Sequence, residues 1–266
     1  MQVPSVFHFI YLNCPESSHE RRFSLVHYLA IESCRQVNHP EVMNLYFNTE
    51  PSGQWWERAK PYLNLIPVKA PEEIFGIPLR HPAHKADVLR LQVLLETGGI
   101  YLDLDVLCLR PFAALQKFDM VLGEECGVGL CNAVILAKPN AQFIQRWLEG
   151  YRTFSADDWN GHSVRLPMRL AREMPEHIHI VDCQKFFWPM HWEQHRFEFF
   201  LNSGSTFCSN SFCVHLWEAV TSRLLQRLTP PDLWANESEF CILARRYLPP
   251  DLGRNVVGRR SAVDRK

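Results

Sequence analysis

The chain has 266 residues with a formal net charge of −1, and 47% of its residues are hydrophobic. A disordered chain combines low hydrophobicity with high net charge, so we expect this chain to fold around a large core. Near-neutral charge gives no overall field that would attract nucleic acid or an anionic membrane, so an anionic ligand needs a local site. No hydrophobic run reaches the roughly 20 residues of a membrane-spanning helix, and no signal peptide is evident.

The cysteines and the chain ends bear on compartment and domain organisation. Five of the nine cysteines lie in apolar stretches typical of buried free thiols, which favours a reducing, cytoplasmic compartment: Cys34, Cys108, Cys131, Cys208 and Cys241. We expect one catalytic domain over residues 1–250 and a flexible basic tail over 251–266. A membrane-peripheral tail is the less favoured alternative to a solvated one.

Strands and helices alternate along the first third of the chain. Hydrophobic periodicity predicts, in order, a strand at 3–11, a helix at 22–37, a strand at 43–48, a helix at 54–62 and a strand at 65–69. A helix at 85–97 and a strand at 100–107 follow, then strands at 119–123 and 132–137, helices at 141–153 and 163–174, strands at 178–182 and 211–216, and helices to about 247. This order predicts an α/β fold with a mostly parallel sheet flanked by helices, and ligand binding at the carboxyl ends of its strands.

An Asp-x-Asp pair follows the helix that stops at Gly98-Gly99. A period of two puts Asp103 and Asp105 on one face of the strand with Tyr101. Buried carboxylates need a cation, hydrogen-bond donors or water, and hard oxygen ligands suit Mg²⁺ or Mn²⁺. A solvated turn is the ordinary explanation of such a pair, but the setting on an apolar strand after a Gly-stopped helix argues against a turn, so the position alone leaves a metal site and a pair without a metal both open.

The same region resembles a known family. Residues 84–112, HKADVLRLQVLLETGGIYLDLDVLCLRPF, resemble the core of the glycosyltransferases with a DXD sugar-binding region, among them yeast-type α-1,6-mannosyltransferases, α-1,4-glycosyltransferases and the clostridial glucosylating toxins. The opening VPSVFHFIYL, residues 129–140 and His215-Leu216-Trp217 extend the resemblance over about residues 3–217. It implies a GT-A-like nucleotide-sugar-binding fold, with a helical and aromatic acceptor-side insert at 154–200.

The resemblance also implies roles for individual residues. It makes Asp103, Asp105 and His215 the ligands of Mn²⁺ or Mg²⁺, with Asp103 also holding the ribose. Asp87 and Arg90 would bind donor-sugar hydroxyls. The remaining implied contacts are Asn132 with the transferring sugar, Phe9, Tyr11 and Tyr101 with the nucleoside, and Trp217 with metal and phosphate.

The function that follows is metal-dependent transfer of a hexosyl group from a UDP- or GDP-sugar to a hydroxyl of a glycan or glycoconjugate, with retention of configuration, in the biosynthesis of polysaccharide or a related product. One alternative is a glycoside hydrolase that uses the Asp pair, whose Cα atoms in a strand lie roughly 6.5–7 Å apart. The other is a protein that binds nucleotide sugars without transferring them.

Several further side chains are ambiguous in the sequence. Lys85 is either near the diphosphate or a solvated helix-start lysine, and His162 is either a phosphate or acceptor contact or an ordinary residue beside the N-cap Ser163. Glu124-Glu125 is either close to the acceptor or a surface turn, which we favour. A zinc site at Cys208, Cys213 and His215 is less favoured than core cysteines. Aromatic packing is favoured over sugar stacking for the cluster Trp188, His191, Trp192 and His195.

Overall fold

The computed structural model describes residues 2–13, 22–204 and 206–253. Its central sheet has seven strands, and four of the six neighbouring pairs are parallel. The spatial order is β10 (His179–Val181), β8 (Met120–Glu125), β9 (Gly129–Ala137), β6 (Gly99–Leu102), β1 (Val6–Tyr11), β2 (Val42–Phe47) and β3 (Asn64–Pro67). The predicted α/β class with a mostly parallel sheet is confirmed.

Helices cover both faces of this sheet. The α-helices are α1 (Leu25–Asn38), α2 (Gln54–Ala59), α3 (Pro82–Thr97), α4 (Gln142–Gly150), α5 (Leu166–Glu173), α6 (Cys183–Phe186), α7 (Glu193–Leu201), α8 (Glu218–Leu225), α9 (Pro230–Ala235) and α10 (Glu239–Arg245). A π-helical turn, Gly161–Arg165, precedes α5, and short 3₁₀ turns cover Lys60–Tyr62, Phe112–Leu115, Tyr151–Thr153, Pro175–His177 and Pro250–Leu252. α1 packs on one face of the sheet, whereas α3, α4 and α5 pack on the other.

Two glycines fix the junction between α3 and β6. Gly98 and Gly99 have φ values of +63° and +110°, which L residues rarely adopt. A Cβ atom on Gly99 would lie 2.5 Å from the backbone oxygen of Val6 in β1. The buried His8 ring lies 2.9 Å from the Gly98 oxygen, and burial lowers the pKa of His8 to about 4, so this ring is neutral. The junction therefore holds the helix, β1 and β6 together at close range.

The predicted continuous strand over 100–107 is wrong at its centre. β6 ends at Leu102, and Asp103–Asp105 form a turn closed by a hydrogen bond from the Val106 amide to the Asp103 oxygen, 3.1 Å long. The chain then enters β7 (Val106–Cys108), which pairs antiparallel with β11 (Cys213–His215) in a separate two-stranded sheet. The remaining strands, β4 (Glu73–Ile74) and β5 (Ile77–Pro78), form a small hairpin. The Asp-x-Asp pair thus lies where the chain leaves the central sheet.

The cysteines are only partly as expected. The five named above are buried free thiols, but Cys126 and Cys183 form a disulfide that ties the β8–β9 turn to α6. The expectation of buried free thiols is therefore confirmed for the five cysteines it named, and sequence spacing does not reveal the additional disulfide.

The C-terminal boundary lies slightly later than predicted. Residues 250–252 form a 3₁₀ turn, and Asp251 pairs with Arg58 at 2.6 Å, so the start of the expected tail belongs to the folded domain. The rest of that tail, 254–266, lies outside the described residues. Within the described part of the chain, no helix is both long and apolar enough to cross a membrane.

Candidate active site

A cleft of about 920 Å³ opens at the carboxyl ends of β1 and β6. This volume lies within the range of small-molecule sites, roughly 300–1,000 Å³. Its walls come from the end of β1, the start of α3, the Asp-x-Asp turn, the β8–β9 hairpin, residues 159–164 and residues 215–220. The location agrees with the rule that α/β sheets bind ligands beyond the carboxyl ends of their strands.

Three potential metal ligands meet in this cleft. One ligand atom each of Asp103, Asp105 and His215 lies within 4.8 Å of the others. The turn after β6 supplies both carboxylates, and β11 brings in the imidazole, whose Nε2 lies 3.2 Å from the Asp105 carboxylate. Two backbone amides form hydrogen bonds with Asp105. The Glu218 amide donates to its carboxylate at 2.6 Å, and the Leu216 amide donates to its carbonyl oxygen at 2.9 Å.

Charge and burial act against each other in this cluster. Burial alone would raise the pKa of Asp105, but the neighbouring His215 outweighs burial and lowers it. Burial likewise disfavours the charged form of His215, yet the Asp105 and Asp103 carboxylates raise the pKa of its imidazole above the ordinary value. Burial raises the pKa of Asp103, and the Arg90 guanidinium opposes this shift. The donor set of two carboxylates and one imidazole fits a divalent cation, which would bind the deprotonated form of the His215 imidazole. Within the described ranges, no other three His, Cys, Asp or Glu side chains converge in this way.

Arg90 is the centre of a buried network beside the candidate metal ligands. Its guanidinium lies 3.1 Å from Asp87 and 3.2 Å from Asp103, and it donates to the Asn132 backbone oxygen at 2.8 Å. Asn132 in turn donates its side-chain amide to Asp87 at 2.7 Å. Tyr101 donates its hydroxyl to Asp103 at 2.5 Å, and its ring lies under the guanidinium. Because Arg90 is only 5% exposed, its pair with Asp87 is buried and differs from an ordinary surface ion pair.

Phe9 and Tyr11 lie on the other face of the sheet from the cleft. Both side chains are fully buried and pack with α1, and β1 instead presents Ile10 and Leu12 to the cleft. The two side chains predicted to contact a nucleoside therefore do not line the cleft, because a one-residue change of phase exchanges the two faces of a strand. Tyr101 does line the cleft.

Lys85 and His162 also lie away from the cleft lining. Lys85 is half-buried on α3, one residue before Ala86, which does line the cleft. The His162 ring packs against Tyr151 and Phe154, and its backbone oxygen accepts the indole hydrogen of Trp147 at 2.7 Å. Four neighbours of His162 line the cleft instead: Trp159 and Asn160 before the π-helical turn, and Ser163 and Val164 within it.

Trp217 lines the cleft next to the candidate metal ligands. Its ring centre lies 4.2 Å from that of His215, and its indole donates to the Pro189 oxygen at 3.0 Å. Its φ of +58° is a left-handed backbone conformation that starts α8. In the aromatic cluster, His191 lines the cleft, whereas Trp188, Trp192 and His195 pack on one another. The favoured packing interpretation thus describes three of these four residues.

Glu125 lines the cleft, although the sequence pattern favours an exposed position for it. The favoured surface turn is wrong for this residue, because Glu125 is 5% exposed and lines the cleft at the end of β8. Glu124 is half-buried and does not line the cleft. Its position after the carboxyl end of a predicted strand is the sequence feature that indicates a place in the site.

Comparison with known proteins places this geometry in a family. Residues 22–127 match the family described as "Glycosyltransferase sugar-binding region containing DXD motif". The chain is 36% identical over 263 residues to Glucan organizing enzyme 1 of Cryptococcus neoformans var. grubii serotype A, a match that covers 94% of this chain and 72% of that protein. A shorter match, 39% identical over 66 residues, covers 23% of this chain and 10% of Subversion of eukaryotic traffic protein A of Legionella pneumophila.

A solved structure supports the fold independently of sequence. The apo form of the glycosyltransferase GlyE of Streptococcus pneumoniae TIGR4 matches with a TM-score of 0.55 at 13% identity, over 98% of this chain and 64% of that chain. This likeness concerns the fold alone, and it agrees with the mostly parallel sheet described above. The chain therefore belongs to the glycosyltransferases whose sugar-binding region contains a DXD motif, and it has their GT-A fold.

Proposed function

We propose that this enzyme transfers a hexosyl group from a nucleotide diphosphate sugar, with UDP or GDP as the leaving group, to a hydroxyl of a glycan or glycoconjugate. The observation that carries the proposal is the convergence of Asp103, Asp105 and His215 within one cleft beside the Arg90 network. The cleft is large enough for a nucleotide sugar, and it joins a candidate cation site to a cluster of hydroxyl-binding groups.

Mn²⁺ or Mg²⁺ is the cation we propose, held by the two carboxylates and the imidazole. Imidazole is a better ligand for Mn²⁺ than for Mg²⁺, which favours Mn²⁺. When bound, such an ion neutralises the charge that develops on a departing diphosphate. The chain's own part is to hold Asp105 in place, through the amides of Leu216 and Glu218.

Asp87 and Arg90 are suited to orienting the donor sugar. A carboxylate accepts and a guanidinium donates hydrogen bonds, so the pair can hold neighbouring sugar hydroxyls in one orientation. Both side chains are fixed by Asn132 and Asp103, which limits the loss of conformational entropy on binding. Retention of configuration is part of the proposal and is supported by the family resemblance.

The acceptor side of the cleft is proposed to lie at residues 159–164. Trp159 lines the cleft, is 51% exposed, and has its ring fixed against His81 and His84. A half-exposed aromatic ring offers an apolar face on which a sugar can stack. The name of the 36% identical relative mentions glucan, which supports a polysaccharide as the product.

A glycoside hydrolase is not favoured by this geometry. A glycoside hydrolase uses two carboxyl groups and no metal ion. Here an imidazole stands beside both carboxylates, since ligand atoms of Asp103, Asp105 and His215 all lie within 4.8 Å of one another, and these three groups together suit a shared cation.

The test is release of UDP or GDP from a panel of UDP- and GDP-hexoses, with Mn²⁺ and with a chelator. We expect metal-dependent release from one donor, and a loss of at least a hundredfold in Asp105→Asn, because a charged ligand becomes neutral. The matched control is Asp119→Asn, an exposed carboxylate paired with Lys138 outside the cleft. Metal-independent release, or full activity in Asp105→Asn, would refute the proposal. Nucleotide-sugar binding without any release would favour the binding-protein alternative.

A further inference from the structure

Glu125 is a buried carboxylate that the donor and metal roles leave unused. It is the last residue of β8, opposite Gly129 of β9, and its carbonyl oxygen accepts the Val128 amide at 2.9 Å. The next residue, Cys126, is bonded to Cys183. The backbone on both sides of Glu125 is thus fixed by the ladder, the tight turn and the disulfide.

The carboxylate itself has few partners. Among the described residues, its side chain forms no ion pair within 4 Å, and the weak donor that bonds to it is the Cys131 thiol. Burial raises the pKa of Glu125, while the more distant His215 and His191 act in the opposite direction. A buried carboxylate without a strong partner destabilises the folded protein, so such a group is typical of a position that a ligand completes.

The position of Glu125 in the cleft indicates which ligand group it meets. The β8–β9 hairpin carries both Glu125 and Asn132, and Asn132 is bonded to Asp87 of the proposed donor-sugar site. Glu125 also shares the cleft with the three proposed metal ligands. An attacking hydroxyl must lie beside the donor sugar. Glu125 lies on the β8–β9 hairpin, which lines this part of the cleft, and neither the metal nor the donor sugar has been assigned to its carboxylate.

We propose that Glu125 binds the attacking hydroxyl of the acceptor and holds it against the donor sugar. This assignment rests on the proposed transferase function. A carboxylate accepts a charge-assisted hydrogen bond from a sugar hydroxyl, which fixes the direction of the attacking oxygen. The ligand class is therefore a sugar hydroxyl, or water when no acceptor is present.

The experiment compares Glu125→Gln with Glu124→Gln, its half-buried neighbour outside the cleft. Hydrolysis of the active nucleotide sugar is measured without added acceptor, so that water is the probe at Glu125. We expect kcat to fall at least tenfold in Glu125→Gln, with unchanged affinity for Mn²⁺ and for the nucleotide, and no change in Glu124→Gln. The thermal midpoint of Glu125→Gln is expected to equal or exceed that of the wild type, because the variant removes a buried charge.

Three results would overturn the assignment while leaving the proposed function intact. Unchanged kcat in Glu125→Gln would show that the carboxylate does not meet the attacking group. Weaker Mn²⁺ binding would make Glu125 a metal ligand, and a thermal midpoint several degrees lower would make its role structural. If the wild type releases no nucleotide from any donor, the proposed function itself fails and takes this assignment with it, whereas an active wild type with an equally active Glu125→Gln refutes only the assignment.

Discussion

Replacing Arg90 with methionine is expected to destabilise the folded protein strongly. The guanidinium is buried between the carboxylates of Asp87 and Asp103, at 3.1 and 3.2 Å, and it also binds the Asn132 carbonyl. Methionine fills a similar volume but leaves two carboxylates without their cation. Removing one partner of a buried ion pair costs about 3–5 kcal/mol, a large fraction of the stability of a domain.

The pH dependence of this loss has a definite sign. Burial raises the pKa of Asp103, and Arg90 opposes that shift, so the pKa rises further in Arg90→Met. The carboxylate of the variant takes up a proton as the pH falls, which removes the uncompensated charge. The free-energy difference between variant and wild type is therefore expected to be larger at pH 8 than at pH 5.

Urea unfolding of the metal-free protein at the two pH values measures this difference. The matched control is Arg146→Met on α4, whose pair with Glu149 is exposed on both sides and is worth less than about 0.5 kcal/mol. A loss below about 1 kcal/mol in Arg90→Met, or an equal loss at both pH values, would refute the reasoning that the network is a buried and charge-balanced unit.

Three further outcomes are expected. Gly99→Ala should lower the unfolding free energy by at least about 2 kcal/mol, since φ is +110° and the new methyl would lie 2.5 Å from a β1 carbonyl oxygen; an unchanged urea midpoint would contradict this. Mn²⁺ affinity, measured by calorimetry, should fall as the pH drops through the raised pKa of His215, and His215→Ala should bind Mn²⁺ weakly at every pH. Trp159→Ala should raise KM for a glycan acceptor about three- to tenfold and Trp159→Phe less, with nucleotide affinity unchanged in both; equal KM values would exclude stacking.

Local sequence patterns identified the elements but not every side-chain direction. Apart from His8, residues 6–12 are apolar on both faces of the chain, because helices cover the sheet on both sides, so alternation does not tell the cleft face from the α1 face. The family resemblance chose Phe9 and Tyr11, whereas Ile10 and Leu12 line the cleft.

The placement of Asp103 and Asp105 shows a second limit of prediction from sequence. Residues 100–107 read as one apolar strand, and the break after Leu102 depends on pairing with β11, more than one hundred residues later. The pair itself and its convergence with His215 were predictable from the resemblance, and the ligand atoms do meet. Whether Glu125 is exposed or buried is likewise decided by distant packing, which no local pattern contains.

The disulfide divides the cleft into two topological parts. Cys126 and Cys183 are 57 residues apart, and the loop they close contains Asn132 and Trp159 but none of the three proposed metal ligands. Closing a loop of this length restricts the unfolded chain by about 4 kcal/mol in the chain-entropy model. A reductant is therefore expected to lower the unfolding free energy of the domain by up to this amount, and because α6, which carries Cys183, also bonds to β11, both parts of the cleft would lose stability together.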